Sequence, residues 1–278
     1  GLPVAYGGGG GGGVQYTSFD GSEQVLAKEA GESWTDASTF IDGDWMFVGS
    51  PNDYNNRGCV YVFKRDGESW GRRFILVASD GAADDMFGCS VCISGDYAII
   101  GSRGDDDKGQ NSGSAYVFRW TGTTWTQESK LKASDGVEYD MFGFAVSISE
   151  HNAFVGAPGN TSKTGCVYIF QRSSTTWTQY SKMVPTNAVQ GDEFGSSVSS
   201  SGTVMITGSH KANTNTGKVC VFKKSYYTTP SWTEEFELSP STGSQGDEFG
   251  KVLSVHGDNI IIGAPGSQSS KGSVYLFE

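Results

Sequence analysis

The stretch from Phe87 to Asp135 reads FGCSVCISGDYAIIGSRGDDDKGQNSGSAYVFRWTGTTWTQESKLKASD, and the rest of the chain repeats its pattern. A Phe-Gly pair recurs at intervals of 55, 52 and 55 residues, at Phe87, Phe142, Phe194 and Phe249. The glycine that ends the next apolar run keeps the same spacing, at Gly101, Gly156, Gly208 and Gly263. Landmarks that share one period over most of a chain indicate a repeat architecture.

Each repeat divides into four short apolar segments. In the quoted stretch they are residues 87–94, 97–102, 114–118 and 125–133. Their length and their content of Val, Ile, Tyr, Phe, Trp and Thr are typical of strands, and turn residues separate them. Four antiparallel strands in a repeat of more than fifty residues predict one blade of a β-propeller.

The number of repeats predicts an all-β, five-bladed β-propeller with four antiparallel strands per blade. The last repeat contains only three segments before the final residue of the sequence. Residues 22–28 resemble a fourth segment, with Leu26 at the place of Leu76 and Leu131. We therefore expect the N-terminal segment, through Val25 and Leu26, to close the last blade. Residues 19–278 are predicted to form a single propeller domain.

The repeated pattern resembles the FG-GAP repeat of integrin alpha-chain propellers and of many secreted bacterial and eukaryotic proteins. The matching residues are Phe142-Gly143, Val155-Gly156-Ala157-Pro158 and Val167-Tyr168-Ile169-Phe170, and the same series recurs from Phe249 to Phe277. The element from Trp125 to Gly136 is similar to the non-integrin branch. This resemblance covers roughly residues 34 to 278. It implies a propeller fold and a secreted or cell-surface protein, although one propeller scaffold hosts many activities.

The resemblance does not carry over a calcium site. Integrin-type propellers bind calcium in Asp-rich loops between the first and second strands, whereas that connection here is as short as Ser94-Gly95-Asp96. We therefore expect no metal or cofactor at these turns. In the next loop, Asp105, Asp106 and Asp107 have the oxygen ligands for a hard cation, but a solvated acidic loop is the favoured interpretation. The same loop contains Arg103-Gly104-Asp105, a tripeptide that integrins bind and that also occurs by chance.

An aspartate lies two residues before each Phe-Gly pair, at Asp85, Asp140, Asp192 and Asp247. Equivalent positions in successive blades would place these carboxylates in a ring on one side of the propeller. The favoured interpretation is that each aspartate caps its own turn. The alternatives are a cation site or the catalytic carboxylate pair of a five-bladed glycosidase.

Residues 1–18 differ in composition from the repeats. Seven consecutive glycines, residues 7–13, precede a short β-prone segment of Val14, Gln15, Tyr16, Thr17 and Ser18. A glycine run is costly to order, so a flexible tether is one interpretation. The other is that the segment is a spare strand that adds to a neighbouring molecule and mediates self-assembly.

The amino-acid composition restricts the classes of partner that we expect for the protein. A net charge of −11 argues against a nucleic-acid partner, and no apolar run reaches membrane-spanning length. Asn160-Thr161-Ser162 is an N-glycosylation sequon in a predicted loop. For the five cysteines, buried free thiols are favoured over one or two disulfides.

Together these patterns predict a non-enzymatic extracellular structural or adhesive propeller that self-assembles into a filament or surface matrix. Its expected partners are copies of itself, with glycans or cell-surface proteins as further possibilities. One alternative is a glycan-binding propeller with pockets lined by Trp125, Trp177 and Trp232. The other is a glycosidase that uses the axial carboxylates.

Overall fold

A computed structural model describes residue 26 and residues 32–149, 151–225 and 231–278, and it confirms the predicted five-bladed propeller. Each blade is one antiparallel sheet with its strands in chain order. Blade 1 contains β1 (Ser38–Asp42), β2 (Trp45–Ser50), β3 (Cys59–Asp66) and β4 (Ser69–Leu76). Blade 2 contains β5 (Phe87–Ser94), β6 (Tyr97–Ser102), β7 (Ser114–Trp120) and β8 (Trp125–Leu131).

The remaining blades repeat this order. Blade 3 contains β9 (Ala145–Ser149), β10 (Asn152–Ala157), β11 (Cys166–Ser173) and β12 (Thr176–Met183). Blade 4 contains β13 (Ser197–Ser201), β14 (Val204–Ser209), β15 (Lys218–Ser225) and β16 (Ser231–Leu238). Blade 5 contains β17 (Val252–His256), β18 (Asn259–Ala264) and β19 (Ser273–Phe277), so three of its strands fall in the described residues.

The first strand of each blade lies innermost, because β1, β5, β9, β13 and β17 contact one another in that order. In blades 1 to 4, the third strand pairs with the fourth through a one-residue register shift, as between Val117 and Phe118 in blade 2. Such a bulge increases local twist. The blades pack face to face, and one apolar cluster joins Phe47 and Val60 of blade 1 to Ile100 and Tyr116 of blade 2. The core therefore lies between the blades.

A short left-handed turn follows the second strand in four blades. These turns are α1 (Asp53–Asn56), α2 (Asn160–Lys163), α3 (Ala212–Asn215) and α4 (Ser267–Ser270). In α2, three consecutive residues have positive φ: Thr161 (51°), Ser162 (55°) and Lys163 (67°). Residues with a Cβ rarely adopt this conformation, so the turn has to be stabilised by its contacts. Blade 2 has a longer loop at this place. Within the described part of the chain, no helix has the length and apolar composition needed to cross a bilayer.

The predicted closure of the last blade falls mainly outside the described residues. Val25 is not described, and the fourth strand predicted for residues 22–28 is represented only by Leu26. That leucine is half-buried and packs against the blade 1 cluster that includes Val48 and Tyr61. It therefore lies on the side of blade 1 that faces away from blade 2. Closure of the last blade stays a prediction.

Candidate functional site

Each joint between consecutive blades is made by the Phe-Gly pair of the following blade. Between blades 2 and 3, the buried Phe142 donates its backbone N–H to the carbonyl oxygen of Ser112 at 2.9 Å. Gly113 has a φ of +82°, and a Cβ at this position would overlap the carbonyl oxygen of Phe142. At Gly101 a Cβ would overlap the carbonyl oxygen of Gly143 in the same way. The joint therefore requires two glycines so that the incoming main chain can approach closely.

We call these two glycines and the two carbonyl groups beside them the Phe-Gly docking site. Its glycines recur in the other joints at Gly49 and Gly58, Gly156 and Gly165, and Gly208 and Gly217. The two carbonyl groups accept hydrogen bonds from consecutive N–H groups of the following blade. In blade 1, Asn56 accepts from Met86 at 2.8 Å and Arg57 accepts from Phe87 at 3.0 Å. The left-handed turn thus presents acceptors to the next blade.

No described residue covers the corresponding side of blade 5. Four apolar side chains are exposed there, and we call them the blade-5 face: Val252 (62%), Ile261 (50%), Val274 (74%) and Leu276 (60%). The last three occupy the positions of Ile99, Ala115 and Val117 in blade 2, all of which are fully buried. A shallow groove of about 340 Å³ crosses this side, between Val252, Pro265 and Val274. A contiguous exposed apolar patch is typical of an interaction site.

The side of blade 1 that is turned away from blade 2 carries a second group of apolar residues. Trp34 packs there against Tyr61 and Phe63 at centroid distances of 6.0 and 6.3 Å, as Phe87 packs in blade 2. Thr35 follows it, where the other blades have glycine. Ile41 and the half-buried Trp70 belong to the same side. We call Leu26, Trp34, Ile41 and Trp70 the blade-1 face.

The four repeated aspartates cap their turns, as the favoured interpretation predicts. Each carboxylate accepts a hydrogen bond from the backbone N–H three residues earlier, and each side chain is buried. The distances are 2.7 Å at Asp85, 3.0 Å at Asp140, 3.2 Å at Asp192 and 2.8 Å at Asp247. Burial raises the pKa of Asp85, partly offset by its hydrogen bond from Ala82. The aspartates therefore hold the turns that deliver the Phe-Gly pairs.

The acidic loop of blade 2 forms a cluster around an ammonium group. Lys130 Nζ lies 2.8 Å from a carboxylate oxygen of each of Asp80, Asp105 and Asp107. The Lys130 side chain thus occupies the position that a cation ligated by these oxygens would take. Asp106 is exposed, outside this cluster, and accepts a hydrogen bond from the Asn111 N–H at 2.7 Å. Among the described residues, Asp80, Asp105 and Asp107 are the acidic side chains whose arrangement most resembles a metal-binding site.

The Arg103-Gly104-Asp105 tripeptide does not present its carboxylate to solvent. Asp105 is buried and accepts hydrogen bonds from Ser114, Tyr116 and Lys130. An integrin-like partner would require this carboxylate to be free. Asp105 of this tripeptide therefore belongs to the cluster of Asp80, Asp105, Asp107 and Lys130, which we call the clasp around Lys130.

The sequon asparagine lies in the α2 turn, as predicted, but it is not exposed. Asn160 is 5% exposed, and its Nδ2 donates to Asp140 at 3.0 Å. This side chain supports the capped turn, and glycosylation of Asn160 stays a prediction. A glycan on Nδ2 would require Asn160 to leave its buried position.

The three tryptophans predicted for a glycan pocket are core residues. Each lies at the start of an outer strand and is buried because its side chain packs against the preceding blade: Trp125, Trp177 and Trp232. Trp125, for example, packs edge-on against Phe47 at 5.1 Å. That interpretation of these residues was therefore wrong.

All five cysteines are free, as favoured, and four of them are buried. Burial raises the pKa of Cys92 to about 11 and the pKa of Cys59 to about 12. These thiols are therefore protonated at neutral pH and poorly reactive.

One segment predicted from the sequence is not tested by the structure, and one surface seen in the structure was not predicted from the sequence. The proposed assembly strand, Val14 to Ser18, lies outside the described residues. Sequence reasoning missed the blade-5 face, because its apolar pattern in β18 and β19 matches that of the covered blades. Only the arrangement of the blades distinguishes the exposed Ile261 from the buried Ile99.

A comparison with known protein families matches the FG-GAP repeat four times, over residues 70–118, 125–170, 177–222 and 232–277. Each matched segment begins with the outer strand of one blade and ends with the third strand of the next. The first three strands of blade 1 lie outside the matches, in keeping with Trp34-Thr35 in place of Phe-Gly. A search of curated proteins finds no match.

Proposed function

Because the chain belongs to the FG-GAP repeat family, we propose that it is a non-enzymatic structural or adhesive module that acts outside the cell through protein–protein contact. FG-GAP repeats are typical of extracellular or surface proteins. The observation that carries the proposal is the blade-5 face, an apolar surface on a side that is buried in blades 1 to 4. Exposed apolar area of this kind gains free energy when a partner covers it.

The polar residues support the same function. The aspartates that a glycosidase would use each cap a turn, and the acidic loop surrounds Lys130. The tryptophans that a lectin would use pack between blades. These side chains stabilise the propeller, which leaves surface contact as the function that the geometry favours.

We further propose that the contact includes copies of the same chain, so that the protein forms a filament or surface matrix. The sequence supports this through residues 1–18, in which the glycine run gives reach to the β-prone segment from Val14 to Ser18. Outer blade strands offer unpaired backbone groups to such a segment. A contact between different surfaces that does not close generates an open assembly.

The test compares the full chain with a variant that lacks residues 1–18. Light scattering over a concentration series and electron microscopy of both proteins should show assembly by the full chain and less by the shortened one. A full chain that stays monomeric at the highest attainable concentration would contradict self-assembly. A glycan array and a polysaccharide hydrolysis assay on the same sample test the lectin and glycosidase alternatives, and either positive result would overturn the non-enzymatic or protein-binding proposal.

A further inference from the structure

Three half-buried aromatic side chains meet at one end of the joint between blades 1 and 2, and we call them the aromatic cluster: Trp45, Phe74 and Trp120. The ring centroids of Trp45 and Trp120 are 4.7 Å apart. Phe74 lies 6.2 Å from the first ring and 5.8 Å from the second. Trp45 begins β2, whereas Gly49 lies near its other end, so the aromatic cluster is separate from the Phe-Gly docking site.

A cation of the chain itself lies over this cluster. Lys64 is paired with Trp45 across β2 and β3, and its ammonium nitrogen lies 5.1 Å from the centroid of Trp45 and 6.0 Å from that of Trp120. The faces of indole rings attract cations within about 6 Å of the centroid. Lys64 is exposed, so water competes with the rings for its ammonium group. The aromatic cluster is therefore a cation site whose occupant is an exposed, flexible side chain.

The joint between blades 2 and 3 has a fixed cation at the same place. Tyr97 begins β6 as Trp45 begins β2, and Arg172 pairs with the start of the outer strand as Trp120 does. The Arg172 guanidinium lies 4.2 Å from the ring centroid of Tyr97 and donates to its hydroxyl oxygen at 3.0 Å. Its Nη2 also lies 2.7 Å from Nδ1 of His151. Hydrogen bonds as well as ring contacts therefore hold this cation in the joint.

The joint between blades 1 and 2 has an aromatic ring where the next two joints have a basic residue. The position of Trp120 is taken by Arg172 in blade 3 and by Lys224 in blade 4, whose Nζ donates to Asn152 at 3.4 Å. The aromatic cluster thus has more ring surface and less built-in charge than the equivalent places. Such a place can exchange its Lys64 ammonium for a cation from outside the chain, and the net charge of −11 favours a cationic ligand.

We propose that the aromatic cluster binds a quaternary ammonium group, such as the trimethylammonium group of choline, in the place of the Lys64 ammonium. A lysine ammonium is strongly hydrated, and it loses part of that hydration when it lies over a ring. A quaternary ammonium group has methyl groups in place of N–H donors, so it combines attraction to the ring faces with burial of apolar surface. This inference goes beyond the proposed function, because it concerns a small cation and uses none of the residues of the blade-5 face.

The first experiment titrates the full chain with choline chloride at constant ionic strength in an isothermal titration calorimeter. We expect a dissociation constant on the order of 1 mM, because the ligand is small and is held mainly by ring faces. Ethanolamine is the matched ligand control, since it differs from choline only in the three methyl groups on nitrogen. It should bind at least about 10-fold more weakly. Equal binding of the two ligands, or no saturable binding of choline, would overturn the proposal.

The second experiment changes the cluster in two directions. Lys64→Gln removes the competing ammonium group and should strengthen choline binding about two- to tenfold, because the site is then vacant in every molecule. Lys223→Gln, at the equivalent exposed position of β15, is the matched control and should leave the affinity unchanged. Trp120→Arg introduces the residue that blade 3 has at this place and should weaken binding at least about 10-fold. If Trp120→Arg does not fold, the lysine pair still decides, since equal affinities of Lys64→Gln and Lys223→Gln would contradict the site.

A third measurement separates a free ligand from a lipid headgroup. Phosphatidylcholine vesicles present the same trimethylammonium group on a surface, and co-flotation with them reports binding of the chain. Binding of choline without binding of vesicles assigns a free small molecule to the aromatic cluster. Binding of both, with Lys64→Gln stronger in each assay, assigns a headgroup. Vesicle binding by a chain that does not bind choline would overturn the proposal, because the aromatic cluster would then not hold the ammonium group.

Discussion

Blade 2 and blade 5 present the same side chain at the same position in two different states. Ile99 in β6 is fully buried against blade 3, whereas Ile261 in β18 is 50% exposed. Both strands are apolar, both have a glycine as their last residue but one, and both pair with a third strand in the same register. The difference shows that a blade forms its sheet by its own hydrogen bonds, while the burial of its face depends on the following blade.

The largest expected difference is between Gly113→Ala and Gly272→Ala. Both glycines have a φ near +82°, so alanine costs about 1–2 kcal/mol at each from backbone strain. At Gly113 the new Cβ also overlaps Phe142 and separates blades 2 and 3, so we expect a total loss of roughly 4 kcal/mol or more. Urea unfolding of monomeric samples measures both values. Equal losses would mean that the close approach in the joint is unimportant.

The next difference is between Ile99→Ala and Ile261→Ala. Truncation of the buried Ile99 should cost about 2–5 kcal/mol, because it removes apolar contacts and leaves a cavity. Truncation of Ile261 should cost less than about 1 kcal/mol in a monomer, because half of that side chain is already in water. Thermal and urea unfolding at low protein concentration provide the comparison. A large loss at Ile261 would show that some part of the chain covers the blade-5 face.

The fold could be predicted from the sequence because the residues that join the blades lie in short, recognisable segments of the chain. The Phe-Gly pairs, the docking glycines and the third strands each require particular residue types, and their spacing shows the blades. The turn-capping role of Asp140 followed from its place before Phe142. The ion pair between Asp105 and Lys130 could not be predicted in this way, because Lys130 lies 25 residues away on an outer strand. Exposure of Leu276 also depends on packing between blades, which no local pattern records.

A third prediction concerns the clasp around Lys130, which has no counterpart in the described part of blade 5. Asp80 comes from the connection between blades 1 and 2, and its carboxylate shares Lys130 with Asp105. Lys130→Met should cost about 1–3 kcal/mol, less than for a fully buried pair because Asp80 and Asp107 are partly exposed. Lys223→Met, at an exposed position of β15, is the control. EDTA should leave the melting temperature unchanged, because Lys130 occupies the cation position.

The same clasp predicts a pH dependence. Hydrogen bonds from Lys130 hold the pKa of Asp107 below its usual value. At Asp80, burial alone would raise the pKa, but the hydrogen bond from Lys130 lowers it below its usual value. A carboxyl group with a lowered folded-state pKa stabilises the fold above its unfolded value and loses that contribution as pH falls through the folded value. The melting temperature should therefore fall below about pH 4, and less steeply in Lys130→Met. Parallel curves for the two proteins would show that the clasp does not cause the acid sensitivity.

The smallest expected effect is at Leu26, and it depends on protein concentration. Leu76 is buried in the joint of blades 1 and 2, so Leu76→Ala should cost about 2–5 kcal/mol at any concentration. Among the described residues, the half-buried Leu26 packs only against blade 1, so Leu26→Ala in a monomer should cost about 1 kcal/mol. If a second copy covers Leu26, association adds to the stability of the unchanged chain, and the cost must rise with concentration. Chemical denaturation at two well-separated concentrations measures this change. A cost of 2–5 kcal/mol that is already present in the dilute monomer would instead place Leu26 in a blade closed within one chain.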